Sequence, residues 1–351
     1  MVDKSQVLGE LAKVSDPELG KDIVSLGMVE DVQVQSGRVS FTLNLTTPAC
    51  PLRSRIEQGA RDAVSRLPGV KEVSMKTSSK IFATRDYDQT EVLKGVKNVI
   101  AVASGKGGVG KSTLAVNLAV ALASSGAKVG VLDADVYGPN VPHMMGVTAD
   151  ATVKDGLIEP APAFGVKVAS LGFFYKDETP LIWRGPLVAG AIRQLLTQVN
   201  WGELDYLVVD LPPGTGDASL TLAQTVPLGG VVIVTTPQEA ALNIAAKSLA
   251  MFRRLNVPIL GVVENMSYFV CPHCGEREYI FSSGGGKRIA AQLGVDFLGE
   301  IPLNASVREQ SDLGVPQVAA KPDSPESLVF KDFAFRVAGM VSIVAYSKTK
   351  K

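Results

Sequence analysis

Two short stretches of this chain carry side chains in spacings that do chemistry. The first, SGKGGVGKST at residues 104–113, sets Gly105, Gly110, Lys111 and Ser112 in the pattern G-x-x-x-x-G-K-[ST]. A glycine loop turns its backbone N–H groups inward, and a helix beginning at its end adds a positive pole, so the pair makes a phosphate site. Lys111 is spaced to reach the β- and γ-phosphates of a nucleotide, and the Ser112 hydroxyl to ligate Mg2+. The second stretch, CPHCG at 271–275, holds Cys271 and Cys274, two of the chain's three cysteines. Thiolate-bound metals usually take four ligands, and this segment offers two.

Two acidic segments accompany the phosphate loop. GVLDADVYGPN puts Asp133 and Asp135 at the end of an apolar run, and DYLVVDLPPGTGD ends another such run in Asp210. In a doubly wound sheet ligands collect at the C-terminal ends of strands, so these carboxylates are expected near Mg2+ and the attacking water.

These groups need a scaffold, and the pattern supplies one. KNVIAVAS, KVGVLD, DYLVVD, GGVVIVTT and VPILGVV are short runs rich in Val and Ile. They alternate with helix-length segments, which predicts an α/β fold with a mostly parallel, doubly wound sheet covered on both faces. The first of these strands leads directly into the glycine loop, the context the motif requires. Ahead of them lies a small α+β unit: a helix over 3–14, strands EDVQVQ and RVSFTLNLT joined at Ser36-Gly37, a helix over 51–67, and a strand VKEVSMKT. The expected organisation is a domain over 1–84, a polar linker over 85–96 and a phosphate-loop domain over 97–351.

Composition narrows the class. Thirty-five basic and 35 acidic side chains cancel and neither sign is concentrated, which argues against nucleic acid as a partner. No apolar run reaches membrane-spanning length and the N-terminus lacks a signal-peptide pattern, so the expectation is a cytoplasmic protein with no membrane partner. Two cysteines three apart in a reducing compartment point to metal or redox work. Three readings compete for them. A structural zinc site needs a second pair, and the chain has only Cys50 besides. A thiol–disulfide couple wants a helix N-terminus, whereas the flanks YFV and EREYIF read as strands. A twofold axis past the loop would bring two pairs together as four thiolates, enough for a 4Fe–4S cluster or an intersubunit zinc. Chemistry alone leaves the last two open.

GKGGVGKST, DADVYGPNVPHMMG, WGELDYLVVDLPPGTGDASLTLAQ, GVVENMSYFVCPHCG and IPLNASVREQSDLGVP occur in that order, and together they resemble the Mrp-type iron–sulfur cluster carriers, a branch of the deviant Walker-A ATPases. SDPELGKDIVSLGMV and TTPACPLR resemble the small iron–sulfur-assembly domain that precedes the ATPase in bacterial members. A departure is FSSGGG, where a glycine nearer the phenylalanine is expected. The resemblance implies a homodimer with slow ATPase activity that holds a 4Fe–4S cluster through Cys271 and Cys274 of both subunits. It further implies transfer of that cluster to apo-proteins, with scaffold proteins as partners. By motif, Gly105, Lys106, Gly107, Gly108, Val109, Gly110, Lys111, Ser112 and Thr113 bind the nucleotide, and Lys106 crosses to the partner's nucleotide. Asp135 falls in switch I near the attacking water, Asp133 beside the Mg2+ shell, and Asp210 with PPGTGD in switch II. Asn265 matches the position that reads the adenine edge; otherwise it is a strand-end turn cap. Cys50 is either a buried small hydrophobe or, as in related small domains, a functional thiol. His143 is expected as a packed loop residue. Two rival readings stand beside it: a switch of the Min or partition type, in which the CxxC and the N-terminal domain have no task, and a dimeric scaffold with a structural zinc at the CxxC whose ATP site regulates partner binding.

Overall fold

The computed structural model describes the chain apart from residues 1, 18–19, 47, 49–51, 87–91, 136–137, 149–151, 175–184, 215 and 350–351. Contacts divide it into two compact units, Met1–Phe82 with Ala338–Lys351, and Ala83–Val337.

In the first unit a helix over Lys4–Leu11 starts at Asp3, whose side chain takes the Gln6 N–H while the Gln6 side chain takes the Asp3 N–H. This reciprocal cap fixes the start, and the helix ends before the expected 14 because Ala12 caps it. Strand Arg38–Leu45 lies in the middle of a three-stranded sheet, antiparallel to Val29–Gln35 and parallel to Glu72–Ser79. Ser36 and Gly37 both take positive φ, as a two-residue hairpin turn demands. The crossover helix Arg53–Ser65 presents Ile56, Ala60 and Val64, four apart, to a core that includes Phe41, Leu43 and Leu45. Tyr346, from the final helix Pro325–Thr349, packs against the same core, and the Lys21 ammonium lies 5.2 Å from its ring centre.

The second unit holds an eight-stranded sheet. Its strands, in chain order, are β1 (Val96–Ser104), β2 (Val129–Asp133), β3 (Ala161–Ala163), β4 (Val166–Ser170), β5 (Leu204–Asp210), β6 (Gly230–Thr235), β7 (Ile259–Glu264) and β8 (Phe297–Glu300). Across the sheet the order is β3-β4-β2-β5-β1-β6-β7-β8, and every neighbour is parallel except β3 with β4. The doubly wound parallel expectation is met, with β3, β4 and β8 added. Their sequences hid them: β3 and β8 are only three and four residues long. β4 is interrupted by Lys167, whose ammonium reaches out to the Trp201 carbonyl at 2.6 Å.

Chain order places β1 between β5 and β6, so the loop after β1 opens where neighbouring connections diverge. The segment entering β1 is tied down by side chains. The Arg85 guanidinium donates to the Val92 and Leu93 carbonyls at 2.6 and 3.1 Å. Asn98, fully buried, accepts the Thr84 N–H at 2.9 Å and donates to the Asp205 carbonyl at 3.1 Å. Among the described residues no helix is long and apolar enough to cross a membrane.

Asn98→Ala strips partners from two backbone groups at once, so it should cost about 2 kcal/mol and expose the Thr84–Arg85 segment. Thermal melts and limited proteolysis read both effects; a variant as stable and as resistant as the parent would remove Asn98 from this role.

Candidate functional site: a phosphate loop and a cysteine hairpin

β1 is buried at every position but Lys97, and after Ser104 the chain turns into the glycine loop. A Cβ at Gly105 would fall 2.6 Å from the Ile244 side chain and 2.8 Å from its carbonyl carbon. Gly110 sits at φ 80°, and a Cβ there would fall 2.2 Å from the Asn265 side-chain nitrogen. Packing therefore demands both motif glycines, in addition to the loop's curvature. Gly108 also takes positive φ, while Gly107 and Gly108 would have nothing within 4 Å of an added Cβ and leave the rim of the loop open. Val109 is buried beneath it. Helix Lys111–Ser124 starts at the loop's end, and the Thr113 carbonyl accepts the Asn117 side-chain N–H at 2.9 Å inside it. Its first N–H groups and the loop's amides make the expected anion site.

The carboxylates meet there by register. Asp210 on β5 is directly opposite Asp133 on β2, which is opposite Ser170 on β4. Asp210 is fully buried: Oδ1 lies 2.6 Å from the Lys111 ammonium, and Oδ2 accepts the Ser112 hydroxyl at 2.5 Å. Burial raises its pKa, and the Lys111 charge and the two hydrogen bonds pull it back. Asp133, equally buried, accepts the Asp135 and Val141 N–H groups, both at 3.1 Å, and the Ser170 hydroxyl at 3.3 Å. Burial first and then the Asp210 charge push the Asp133 carboxyl up to about 7, against the pull of those N–H groups. Two carboxylates side by side do not both ionise cheaply, and with the ammonium on Asp210 the pair favours protonation of Asp133. Asp135 is half-buried, and its charge is among the causes that raise Asp210.

Lys106 bends back within its own chain: its ammonium lies 3.2 Å from Gln238 Oε1, which also accepts the Thr236 hydroxyl at 2.8 Å. Asn265, 6% exposed at the end of β7, donates Nδ2 to the Val109 carbonyl at 2.7 Å and its backbone N–H to Thr235 at 2.8 Å. Gln238 joins the site without having been singled out in the sequence, and Glu264 and Ser267 flank Asn265 on the chain. Glu264 is buried and accepts the Ser267 hydroxyl at 2.6 Å and the Gly286 N–H. A strand-end Glu followed by Asn and, two on, Ser was the available signal. His143 lies exposed on a one-turn helix, Val141–Met144, and not packed as expected. Cys50 and Thr215 fall outside the described residues.

Cys271 and Cys274 sit at the tip of a hairpin in which Phe269 pairs with Glu278 and Val270 with Arg277. The Cys271 N–H donates to the Glu276 carbonyl, and the Gly275 N–H closes the turn on the Cys271 carbonyl, both at 2.9 Å. The backbone N–H groups of Cys274 and His273 and the Cys274 thiol all point at the Cys271 sulfur and lower its pKa. Thiolate is the form that binds metal, and the two sulfurs are neighbours on an accessible tip. Among the described residues no group of three or more His, Cys, Asp or Glu could hold a metal ion.

Comparison with known proteins gives the family. Residues 95–338 match the model of the NUBPL iron-transfer P-loop NTPases, and residues 4–75 match that of an iron–sulfur cluster assembly protein. An iron–sulfur cluster carrier protein of Synechocystis is 49% identical over 98% of this chain and 99% of its own length. The carrier protein of Escherichia coli K12 is 40% identical over 96% of this chain and 92% of its own. Among solved structures, a nucleotide-binding protein from Archaeoglobus fulgidus in complex with ADP has a TM-score of 0.60 at 43% identity, over 70% of this chain and 96% of that one. The cell division ATPase MinD of Pyrococcus furiosus, at 23% identity and a TM-score of 0.53, shares the fold.

The raised Asp133 carboxyl makes stability depend on pH with a definite sign. Its unfolded value is near 3.8 and its folded value about 7, so between them the folded chain holds the extra proton. Stability from this group is therefore full below the lower value and is lost as pH rises through the higher. In EDTA without nucleotide, the parent's melting temperature should fall by about 3 °C or more from pH 5 to pH 8 relative to Asp133→Asn. Parallel pH profiles for the two proteins would place the proton elsewhere.

Proposed function

The chain belongs to the NUBPL iron-transfer P-loop NTPase family, with an iron–sulfur cluster assembly domain in front, and from that membership we propose that it is an ATP-dependent carrier of a 4Fe–4S cluster. Two copies grip the cluster between them through Cys271 and Cys274 and pass it to apo-proteins. The observation that carries the reading is the hairpin tip: two neighbouring sulfurs, one held toward thiolate by two amide N–H groups, with no third ligand beside them among the described residues. A second copy related by a twofold axis supplies the missing pair, and four thiolates suit a 4Fe–4S cargo.

The phosphate loop supplies the drive. ATP phosphates lie against the amides from Gly105 to Thr113, and Lys111 turns from Asp210 to the β- and γ-phosphates. The donor set freed by that turn, the Ser112 hydroxyl and the Asp210 carboxylate, is all oxygen and suits Mg2+, which when bound offsets phosphate charge. Asp133 borders this shell, and Asp135 orients the attacking water. Lys106 leaves Gln238 to reach the partner's nucleotide, so the dimer closes around ATP. Asn265 holds the loop through Val109 and borders the adenine edge. Hydrolysis is slow, and its coupling to loading or release makes the enzyme a carrier. The domain over 1–84, with Cys50 as a thiol for cluster handling or acceptor contact, and the linker over 85–96 serve docking of scaffold and acceptor proteins in the cytoplasm.

Anaerobic reconstitution with mass by light scattering on the same sample tests the proposal. About four iron and four sulfide per dimer, lost in Cys271→Ser, is the expected result. One zinc per dimer with iron refused would make the hairpin a structural knuckle and the protein a nucleotide switch. For the drive, Asp135→Ala should cut phosphate release by about 100-fold with nucleotide still bound; unchanged turnover would remove Asp135 from the chemistry.

A further inference from the structure

One short length of chain, Glu264 to Cys271, runs from a residue that grips the phosphate loop to the cysteine hairpin, and almost every step of it is tied. Asn265 grips the Val109 carbonyl of the loop at 2.7 Å and, through its backbone N–H, the end of β6. Met266 then takes φ 54°, a left-handed turn by a residue with a Cβ. Such a conformation persists only where the surroundings over-determine it. Ser267, fully buried, closes the turn: its hydroxyl donates to Glu264 at 2.6 Å and its N–H to the Ile301 carbonyl at 3.0 Å. Next, the Tyr268 carbonyl accepts the Leu303 N–H at 2.8 Å, and the Arg277 guanidinium stands 4.3 Å over its ring. Arg277 belongs to the hairpin's return strand and pairs with Val270, the residue before Cys271.

This arrangement has little slack. Phosphate binding would draw on the loop's amide N–H groups, and any rotation of those peptide units carries the Val109 carbonyl with it. Asn265 must follow it or leave a buried carbonyl without a donor. Beyond Asn265 the only backbone freedom before the clamped Ser267 is the turn at Met266.

We propose that Met266 and Ser267 are positioning residues that couple nucleotide occupancy to the cysteine pair: the left-handed turn, clamped by Ser267 to Glu264, carries the displacement of the Val109 carbonyl into the base of the hairpin. The proposal rests on the carrier reading for its use, since it explains how ATP changes the grip on a cargo six residues away. Both variants chosen leave the loop's own residues intact. Met266→Gly relieves the positive φ at a position where glycine is at ease, so the chain keeps its fold while the turn slackens. Ser267→Ala removes the clamp.

The experiment uses the full-length, reduced, cluster-free protein under anaerobic conditions. The rate of Cys271 alkylation by iodoacetamide is followed by peptide mass spectrometry, with and without a non-hydrolysable ATP analogue and Mg2+. Nucleotide affinity and melting temperature are measured on the same samples. The expected result is a nucleotide-dependent change of about five-fold or more in the parent, typical of coupled sites. That ratio should collapse toward one in both variants while nucleotide still binds, an effect that mere loss of stability would not produce. Should Ser267→Ala fail to fold, Met266→Gly decides alone. A parental ratio near one, or the parental ratio retained in either folded variant, overturns the proposal. Because alkylation needs no cluster, refusal of iron by the parent would sink the carrier reading and leave this result to stand separately.

Discussion

The contact on which the rest of the site depends is the buried group of Asp210, Lys111 and Ser112. An ion pair this deep gains little net stability, since desolvating both charges offsets their attraction, yet removing either partner would strand the other. Its value is positional. Asp210 ends β5 beside the end of β1, so the pair draws the first turn of the loop helix onto the neighbouring strand. The Lys111 ammonium and the Ser112 hydroxyl are both engaged by Asp210.

The sheet's register places this group. Parallel pairing sets Ser170, Asp133 and Asp210 in one row at the C-terminal edge, and burial beside Asp210 raises the Asp133 carboxyl, which eases two carboxylates sharing the interior with one ammonium. On the other side of β1, β6 and β7 deliver Gln238 and Asn265 to the same loop. The second motif glycine is where the two sides meet: the space a Cβ would fill at Gly110 is occupied by the Asn265 amide.

The cysteine pair obeys a different constraint. Its turn is stabilised locally, by amide N–H groups aimed at one sulfur and by two backbone bonds closing the tip. Such a turn suits thiolate-bound metals. The lysine that marks the deviant loop is meanwhile folded onto Gln238, a contact that must open before it can serve another subunit.

Much of this was legible in the sequence because it depends on local order. The glycine loop after an apolar run, the strand-end carboxylates, the CxxC between short strands and the α+β unit ahead of them are set by residue type and spacing, which chain neighbours alone enforce. What tertiary structure decided is which distant groups those residues face. Lys111 answers to a carboxylate 99 positions away and Asn265 to a carbonyl 156 positions away. Tyr346 packs on a core built from the other end of the chain, and β3, β4 and β8 exist as strands only because the sheet offers them an edge. Spacing fixes a motif when its members share a turn or a helix. It is silent on partners brought together by the order of strands in a sheet, since that order is chosen by packing across the whole fold.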